Sequence, residues 1–274
     1  MRSSLVNIVW FSEKRKNLLL LLSEGRRNIE QIRRSLNVTT RSIMPQIKTL
    51  KHEHLIVQEE DYFSLTLVGE ILVRNMLPFL DTSRVVEENR DFWVTRNVEA
   101  IPPHLFSNIR DLGHYFLIEP DINRMFELPR EFTENIPKSK HVMTFVSYLH
   151  PAFPSLYSEV SRSGARISLF MTAEALEKLE QEHASDFRDL TKGNGTDIFL
   201  YQEIPKLPMV TVTDWFGYIC LFNQGGRYDH RDIISFDESA LKWCHDLFEH
   251  YRQNSIKVYP AKDREPQTGL PEVG

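Results

Sequence analysis

Cysteine is scarce in this chain, and its scarcity excludes two kinds of small-domain architecture. The 274 residues contain two cysteines, Cys220 and Cys244, and no CxxC pair. A disulfide framework needs several cysteines, and a zinc ribbon needs pairs of them at short spacing. We therefore expect two reduced thiols in a cytoplasmic protein.

Long apolar runs are also missing. No stretch reaches the roughly 18 apolar residues that a transmembrane helix requires, although 41% of the residues are apolar and can build buried cores. The first residues do not form a charged-then-apolar signal sequence. We therefore expect no membrane partner, and the length predicts about two domains.

Motifs for catalysis and cofactor binding are absent as well. The chain has no glycine-rich loop followed by Lys-Ser/Thr and no G-x-S-x-G elbow, the motifs that hold nucleotide phosphates or a nucleophilic serine. Its ten histidines are scattered, and His245 and His250 are too far apart along one predicted helix to chelate well. We expect no enzyme, no cofactor and no metal.

Positive charge is concentrated in the first fifth of the chain. Residues 1–52 carry eleven Lys/Arg against three Glu, a net charge of +8, whereas the whole chain has a net charge of −5. A basic module on an acidic body is the pattern expected when one domain neutralises DNA phosphates. Ordinary solvated helix faces are the alternative explanation.

Two short helices joined by a tight connection are predicted inside this basic segment. Apolar residues recur three and four positions apart over residues 29–36 and again over residues 43–55, as in helices buried on one face. Asn37 and Val38 connect the two patterns. Such a pair forms a helix-turn-helix, whose second helix can enter the major groove of DNA.

The polar side of the second helix carries the predicted contacts with double-stranded DNA. Its donors suit base edges and phosphates, and no carboxylate interrupts this side of the helix before Glu53. The predicted DNA-binding residues are Thr39, Thr40, Arg41, Ser42, Gln46, Lys48 and Lys51. Pro45 bends the helix in its second turn if Thr39 is the N-cap, and it lies in the first turn at little cost if Ser42 is the N-cap.

A hairpin and flanking helices complete the predicted N-terminal domain, residues 1–80. Residues 57–59 and 63–67 alternate like two strands around a polar turn, and a hairpin directly after the second helix is the wing of a winged helix. Further helices are predicted at residues 8–23 and 68–80.

Strands and helices are predicted to alternate after residue 140. Short apolar runs indicate strands, and amphipathic segments between them indicate helices. The predicted strands are residues 141–149, 165–172, 196–201, 209–213 and 218–222, and the predicted helices are residues 151–163, 173–182 and 238–253. This order predicts an α/β domain over residues 113–258, after a helical connector (81–112) and before a disordered tail (259–274).

Two blocks of sequence resemble known regulators. TTRSIMPQIKTLKHEHLIV, followed by YFSLTLVGEIL, resembles the winged-helix domain of ArsR- and MarR-type regulators. GYICLFNQGGRYDHRDIISFDESALKWCHDLFEHYR resembles the C-terminal block of archaeal winged-helix regulators of methanogenesis or filament formation. The resemblance implies a one-component, DNA-binding transcriptional regulator that is a homodimer and responds to a small-molecule effector.

That family also implies a sensory domain similar to half of a phospholipase D fold, which raises an enzymatic alternative. Phospholipase-type catalysis uses a histidine, a lysine two residues later and an aspartate five residues beyond. With Asp214 as the aspartate, Leu207 and Met209 occupy the other two positions, and neither can attack or neutralise a phosphate. We therefore expect that fold without its catalytic residues. A phosphodiesterase with a non-standard site, or a winged helix used for protein contacts, remains an alternative.

The loop before the last helix is the candidate effector site. Residues 228–232 form a polar cluster, in which an arginine could meet an anionic group; a solvated loop is the plainer alternative. Residues at strand ends join the candidates because α/β sheets bind ligands there. The predicted effector-binding residues are Tyr148, His150, Tyr201, Arg227, Tyr228 and Arg231.

Overall fold

The computed structural model of the chain describes residues 4–120, 127–192 and 195–258. The predicted tail, residues 259–274, lies outside the described residues. The chain forms two compact units, Met1–Asp81 and Thr82–Gly274. Within the described residues, no helix combines the length and the apolar character needed to cross a membrane.

The first unit follows the helix and strand order of a winged helix-turn-helix. Its elements are α1 (Leu5–Trp10), α2 (Glu13–Ser23), β1 (Arg27–Asn28), α3 (Ile29–Leu36), α4 (Thr40–His52), β2 (Ile56–Glu59), β3 (Tyr62–Leu65) and α5 (Leu67–Glu88), which continues past residue 81. The strands form an antiparallel sheet in the order β1-β3-β2. The single helix predicted over residues 8–23 is wrong, because Ser12 caps a new helix by accepting a hydrogen bond from the Arg15 N–H.

One apolar core orients the helices of this unit. Leu18 of α2, Ile32 of α3 and Ile43 of α4 are fully buried in it, and each such side chain contributes about 1.5–3 kcal/mol to folding. A Cβ atom on Gly69 would clash with the Leu55 carbonyl oxygen. Glycine at this position therefore lets α5 pack directly on the backbone that leads from α4 into the wing.

The second unit alternates strands and helices after a helical beginning. Its elements are α6 (Arg90–Thr95), α7 (Pro103–Phe106), β4 (Phe116–Ile118), α8 (Arg130–Thr133), β5 (His141–Val146), α9 (Phe153–Arg162), β6 (Arg166–Met171), α10 (Ala173–Glu182), α11 (Ala184–Lys192), β7 (Thr196–Tyr201), β8 (Met209–Thr213), β9 (Gly217–Cys220), β10 (Asp232–Ser235), α12 (Glu238–Arg252) and β11 (Ser255–Val258). Short 3-10 turns lie at Val98–Ala100, Ile109–Leu112 and Ile136–Lys138.

A mixed eight-stranded sheet forms the centre of the second unit. Its strand order is β11-β7-β6-β5-β8-β9-β10-β4. The neighbours β5, β6 and β7 are parallel, whereas every other neighbouring pair is antiparallel. The predicted fold class, a winged helix-turn-helix followed by an α/β domain, is confirmed. Strands β10 and β11 were not predicted, because DIIS places a polar residue at each end and SIKV follows the last helix directly.

The two faces of the sheet are buried against different partners. Val142 of β5 and Leu169 of β6 point to the core formed with α9, α10 and α11. Phe145 and Phe170 of the same two strands point to the core formed with α12, because side chains alternate between the two faces of a strand. Residues 85–112, within the predicted connector, supply buried side chains to the α12 core, among them Phe92.

Candidate nucleic-acid interface and ligand site

Helix α4 begins at the earlier of the two predicted positions. Thr39 is its N-cap: the threonine Oγ1 accepts a hydrogen bond from the Ser42 N–H at 3.3 Å, and the Ser42 Oγ donates to the Thr39 carbonyl at 3.0 Å. Pro45 consequently lies in the second turn, where it has no N–H for the Arg41 carbonyl. Thr49 Oγ1 donates to the Pro45 carbonyl at 3.0 Å in the following turn.

Four of the seven predicted DNA-binding side chains are presented openly by α4 and its cap. Thr39, Thr40, Arg41 and Lys48 are exposed, and the last two have no hydrogen-bond or ion-pair partner among the described residues. Arg41 and Lys48 are seven positions apart and therefore lie on the same face of the helix. Both charged groups of this face are therefore free to contact a ligand.

The remaining predicted residues of α4 are already engaged within the protein. Ser42 is half-buried and bonded to the cap. Gln46 is half-buried, and its Oε1 accepts a hydrogen bond from Arg15 Nη1 at 2.9 Å. Lys51 is exposed, but its Nζ donates to Gln58 Oε1 of the wing at 2.9 Å. Gln46 and Lys51 would have to exchange these bonds for contacts with DNA.

The tip of the wing is acidic. Glu59, Glu60 and Asp61 are all exposed there. Over residues 1–81 the chain has 12 Lys/Arg and 9 Asp/Glu, a net charge of +3, so the excess of residues 1–52 is largely offset by carboxylates in the wing and α5. Carboxylates at the tip repel phosphates. The excess of positive charge in this unit therefore lies in residues 1–52, before the wing.

The predicted effector residues do not form one site. Tyr201 packs in the α12 core against Phe145 and Tyr251, with ring centroids 5.0 and 5.6 Å away. Tyr148 lies beside Tyr228 instead, at 5.4 Å. The sequence offered no signal for this separation, because all of these residues lie near strand ends.

His150 is engaged locally at the start of α9. Its Nδ1 accepts a hydrogen bond from the Ala152 N–H at 3.1 Å, and its ring lies 5.4 Å from that of Phe153. The imidazole therefore helps to order the turn that leads into α9.

Tyr228 turns into the protein and contacts a buried carboxyl group. Its hydroxyl donates to Asp232 Oδ2 at 2.9 Å, and the Tyr218 hydroxyl donates to the same oxygen at 2.5 Å. Asp232 is only 1% exposed. Burial raises the pKa of the Asp232 carboxyl, and the donors Tyr218, Cys220 and Tyr228 oppose that rise. The solvated-loop alternative is therefore wrong for this part of residues 228–232.

Arg227 and Arg231 face the opposite side of the same loop. Both line an open cavity of about 480 Å³, together with Arg96, Asp229 and the ends of neighbouring loops. Arg231 is held by Glu119 through Nε and Nη2, at 3.0 and 2.8 Å. Arg96 is a site residue that the sequence did not indicate, because it lies in the predicted connector, far along the chain from residues 227–231.

The three positions that correspond to phospholipase catalysis have structural roles. Leu207 and Met209 are buried in the two cores. Asp214 Oδ1 accepts hydrogen bonds from the N–H groups of Lys140 and His141, at 2.8 and 3.1 Å. Burial alone would raise the pKa of Asp214, but these donors outweigh it and lower the pKa. Among the described residues, no group of three or more His, Cys, Asp or Glu is placed to hold a metal ion.

Family models match both units. A model described as "Methanogenesis regulatory protein FilR1, N-terminal domain" matches residues 4–82, and one described as "Methanogenesis regulatory protein FilR1, middle domain" matches residues 125–254. The chain belongs to the FilR1 family. This confirms the resemblance to methanogenesis regulators that the two sequence blocks indicated.

A curated FilR1 relative matches over most of the chain. Methanogenesis regulatory protein FilR1 of Methanothrix harundinacea (strain 6Ac) is 25% identical over 261 residues, covering 92% of this chain and 58% of the relative. The chain thus spans less than two thirds of the length of that FilR1 protein.

Solved structures show weaker similarity. The archaeal chromatin protein TrmBL2, described as showing a novel mode of DNA binding, has a TM-score of 0.43 and 11% identity, covering 93% of this chain and 100% of its own. The phospholipase D family member Nuc from Salmonella typhimurium has a TM-score of 0.39 and 9% identity, covering 54% and 100%. NucT from Helicobacter pylori has a TM-score of 0.40 and 10% identity, covering 53% and 99%.

Proposed function

We propose that this FilR1-family chain is a DNA-binding transcriptional regulator that inserts α4 into the major groove of duplex DNA. The observation that carries the proposal is the exposed face of α4, where the charged groups of Arg41 and Lys48 have no partner among the described residues. A guanidinium or ammonium group in this state can meet DNA without first breaking a bond inside the protein. Membership of a family of regulatory proteins supports the same function.

The position of each side chain along α4 suggests what it contacts. In helix-turn-helix proteins the N-terminal residues of the second helix reach base edges. Arg41 lies there and suits a guanine, whose O6 and N7 accept a bidentate arginine. The proposed DNA contacts in full are Thr39, Thr40, Arg41, Ser42, Gln46, Lys48 and Lys51, with both lysines meeting phosphates.

We include a homodimer in the proposal because α5 exposes apolar side chains. Val68, Ile71 and Phe79 are 44%, 52% and 58% exposed, and Leu67 is 72% exposed. An apolar helix face of this kind suits a two-fold interface, in which the same surface packs on its copy. Two-fold pairing would place the two α4 helices roughly 34 Å apart, one turn of DNA.

Response to a small-molecule effector is the third part of the proposal. Arg227 and Arg231 line the open cavity and are the proposed effector contacts. The other four predicted residues, Tyr148, His150, Tyr201 and Tyr228, are engaged inside the protein and are not part of the proposed site. An effector acts by binding one arrangement of the protein more tightly than another. Helix α5 runs from the first unit into the second, where the Tyr115 hydroxyl donates to the Val85 carbonyl of α5 at 2.6 Å.

The experiment that tests the proposal compares two arginine variants on DNA. Fragments are first selected from random duplexes by the wild-type chain, and affinities are then measured by gel shift. Arg41→Ala should lose about 1–3 kcal/mol and relax the preference at one base pair. Arg74→Ala is the matched control, because it removes the same charge from an exposed residue of α5. The Arg74 Nη2 lies 3.9 Å from Glu70 Oε2. Equal losses in the two variants would remove Arg41 from base recognition.

We propose no enzymatic activity for the second unit. Leu207 and Met209 present carbon and sulfur atoms where phospholipase-type chemistry needs a nucleophile and a cation. Turnover of phosphodiester substrates by the purified full chain would contradict this assignment.

A further inference from the structure

The open cavity of the second unit concentrates positive charge in an acidic part of the chain. Residues 82–274 contain 21 Lys/Arg and 29 Asp/Glu, a net charge of −8. Nevertheless, three arginines, Arg96, Arg227 and Arg231, line one cavity of about 480 Å³. We call it the arginine cavity. Asp229 also lines it, so its lining has a net positive charge although the unit as a whole has a net negative charge.

Carboxylates neutralise two of these three arginines. Asp229 binds Arg96, whose side chain is 1% exposed and cannot move to a ligand without breaking that pair. Glu119 binds Arg231, whose side chain remains 23% exposed. Arg227 is exposed, and its guanidinium has no hydrogen-bond or ion-pair partner among the described residues. One positive charge at the cavity is therefore left without an anion.

The loop that carries Arg227 is ordered by its own hydrogen bonds. Asn223 Oδ1 accepts from the N–H groups of Gly225 and Arg227 at 2.9 and 3.1 Å, and the Asn223 N–H donates to the Arg227 carbonyl at 2.9 Å. The Gln224 N–H donates to the Thr95 carbonyl at the end of α6, at 2.8 Å. A ligand at Arg227 would therefore spend little of its binding energy on ordering the loop.

We infer that the arginine cavity binds a small anion through a carboxylate or phosphate group, with Arg227 as its principal contact and Arg231 as a second one. Both groups offer the oxygens that a guanidinium binds with two parallel hydrogen bonds. The cavity is open to solvent, so a small anion can reach Arg227 and Arg231 directly. This inference rests on the proposed effector response, for which it names the site and the ligand class.

The cavity contacts the segment that leads from helix α5. The guanidinium carbons of Arg96 and Arg231 lie 4.8 and 5.8 Å from the centre of the Phe92 ring. The next residue, Trp93, donates from its Nε1 to the Val85 carbonyl of α5 at 3.2 Å. An anion that draws Arg231 away from Glu119 would change the packing of α6 next to the last turns of α5.

Calorimetric titration of the full chain tests the inference. Inorganic phosphate and succinate are the probes, at constant ionic strength with chloride as the background anion. We expect saturable binding of at least one probe: phosphate alone would identify a phosphate ligand, and succinate alone a carboxylate. Absence of saturable binding for both probes, up to tens of millimolar, would overturn the inference.

Two arginine variants locate the binding. Arg227→Gln should weaken the binding of the probe about tenfold or more, because it removes a charge-assisted pair of hydrogen bonds. Arg162→Gln, an exposed arginine of α9 outside the cavity, should leave the affinity unchanged. Equal affinities of the two variants would overturn the assignment to the arginine cavity. Arg227 has no side-chain partner to lose, so its variant should fold, and a thermal melt checks this.

DNA affinity measured on the same preparations separates this inference from the proposed function. A chain that binds DNA but neither anion overturns the inference and leaves DNA binding intact. A chain that binds the anion at Arg227 but does not bind duplex DNA supports the inference as a ligand site and contradicts the DNA-binding function.

Discussion

Arg96 and Asp229, which are 133 residues apart in the sequence, form a charged pair with two parallel hydrogen bonds. The Nη1–Oδ1 distance is 2.6 Å and the Nη2–Oδ2 distance is 2.5 Å. The arginine side chain is 1% exposed, whereas that of the aspartate is 32% exposed. The pair fastens the end of α6 to the loop at the arginine cavity, and a buried guanidinium depends on it for its counter-charge.

Asp229→Asn should destabilise the chain strongly. The variant leaves the Arg96 charge buried without an anion, at a cost of about 3 kcal/mol in the free energy of unfolding. Glu119→Gln is the matched control, since Glu119 also accepts two hydrogen bonds from an arginine, Arg231, but is 57% exposed, and it should cost at most about 1 kcal/mol. Urea unfolding measures both. Similar costs would show that Arg96 is not dependent on Asp229.

Asp232→Asn should flatten the pH dependence of stability. Because burial raises the pKa of Asp232, the folded chain keeps this proton at pH values where the unfolded chain, with a pKa of about 3.9, has released it. The folded state then binds more protons, so this group lowers stability as the pH rises above about 4. Unfolding in urea across a pH series should show a smaller decline for the variant, and parallel profiles would refute the shift.

Asp229 should act on the pH profile in the opposite sense. Hydrogen bonds from Arg96 lower the pKa of this carboxyl, so its contribution to stability is present above the unfolded pKa of about 3.9 and is lost as the pH falls. The loss of folding stability on acidification should therefore be smaller in Asp229→Asn than in the wild type. The same urea series measures it, and an unchanged acid limb would contradict the lowered pKa.

Pro45→Ala should stabilise the first unit. The new N–H can donate to the Arg41 carbonyl, and removing the proline from the helix interior should stabilise the folded state by about 3 kcal/mol. The unfolded chain also becomes more flexible, which offsets roughly 1 kcal/mol of that gain. A thermal melt should therefore show a net gain of about 2 kcal/mol. A loss of stability would instead indicate that Pro45 occupies a first turn, where proline is favourable.

Glu60→Gln combined with Asp61→Asn should tighten non-specific DNA binding at low salt. Both carboxylates are exposed at the wing tip and repel phosphates. The gain should disappear at high salt, because the screening length falls from about 10 Å at 0.1 M to about 3 Å at 1 M. Anisotropy titrations with a random duplex measure the effect. Weaker binding at low salt would mean that the carboxylates accept hydrogen bonds from DNA bases.

Local patterns were enough to predict helices α3 and α4 of the first unit, because these helices follow the spacing of buried residues such as Ile32 and Ile43. They did not show the break at Ser12 between α1 and α2. The choice between Thr39 and Ser42 as N-cap needed the structure, since both side chains can cap a helix. Strand β10 was not predicted, because it begins with Asp232, a buried residue at a position in the sheet that is usually apolar. The Arg96–Asp229 pair has no local signal, since only the sheet order brings its two residues together.

The acidic wing tip, by contrast, was visible in the sequence. Counting charge only to residue 52 left out Glu59, Glu60 and Asp61 and made the N-terminal domain look more basic than it is. The excess of charge is therefore a weaker argument for DNA binding than the open, unpaired face of α4 is.

The salt dependence of affinity for a selected DNA fragment tests the central claim most directly. If Arg41, Lys48 and Lys51 lie against duplex DNA, the logarithm of the binding constant should fall linearly with the logarithm of salt concentration. Each neutralised phosphate contributes about −0.9 to the slope, so a slope of about −3 or steeper is expected. A flat profile would show that no phosphates are neutralised and would contradict DNA binding by α4.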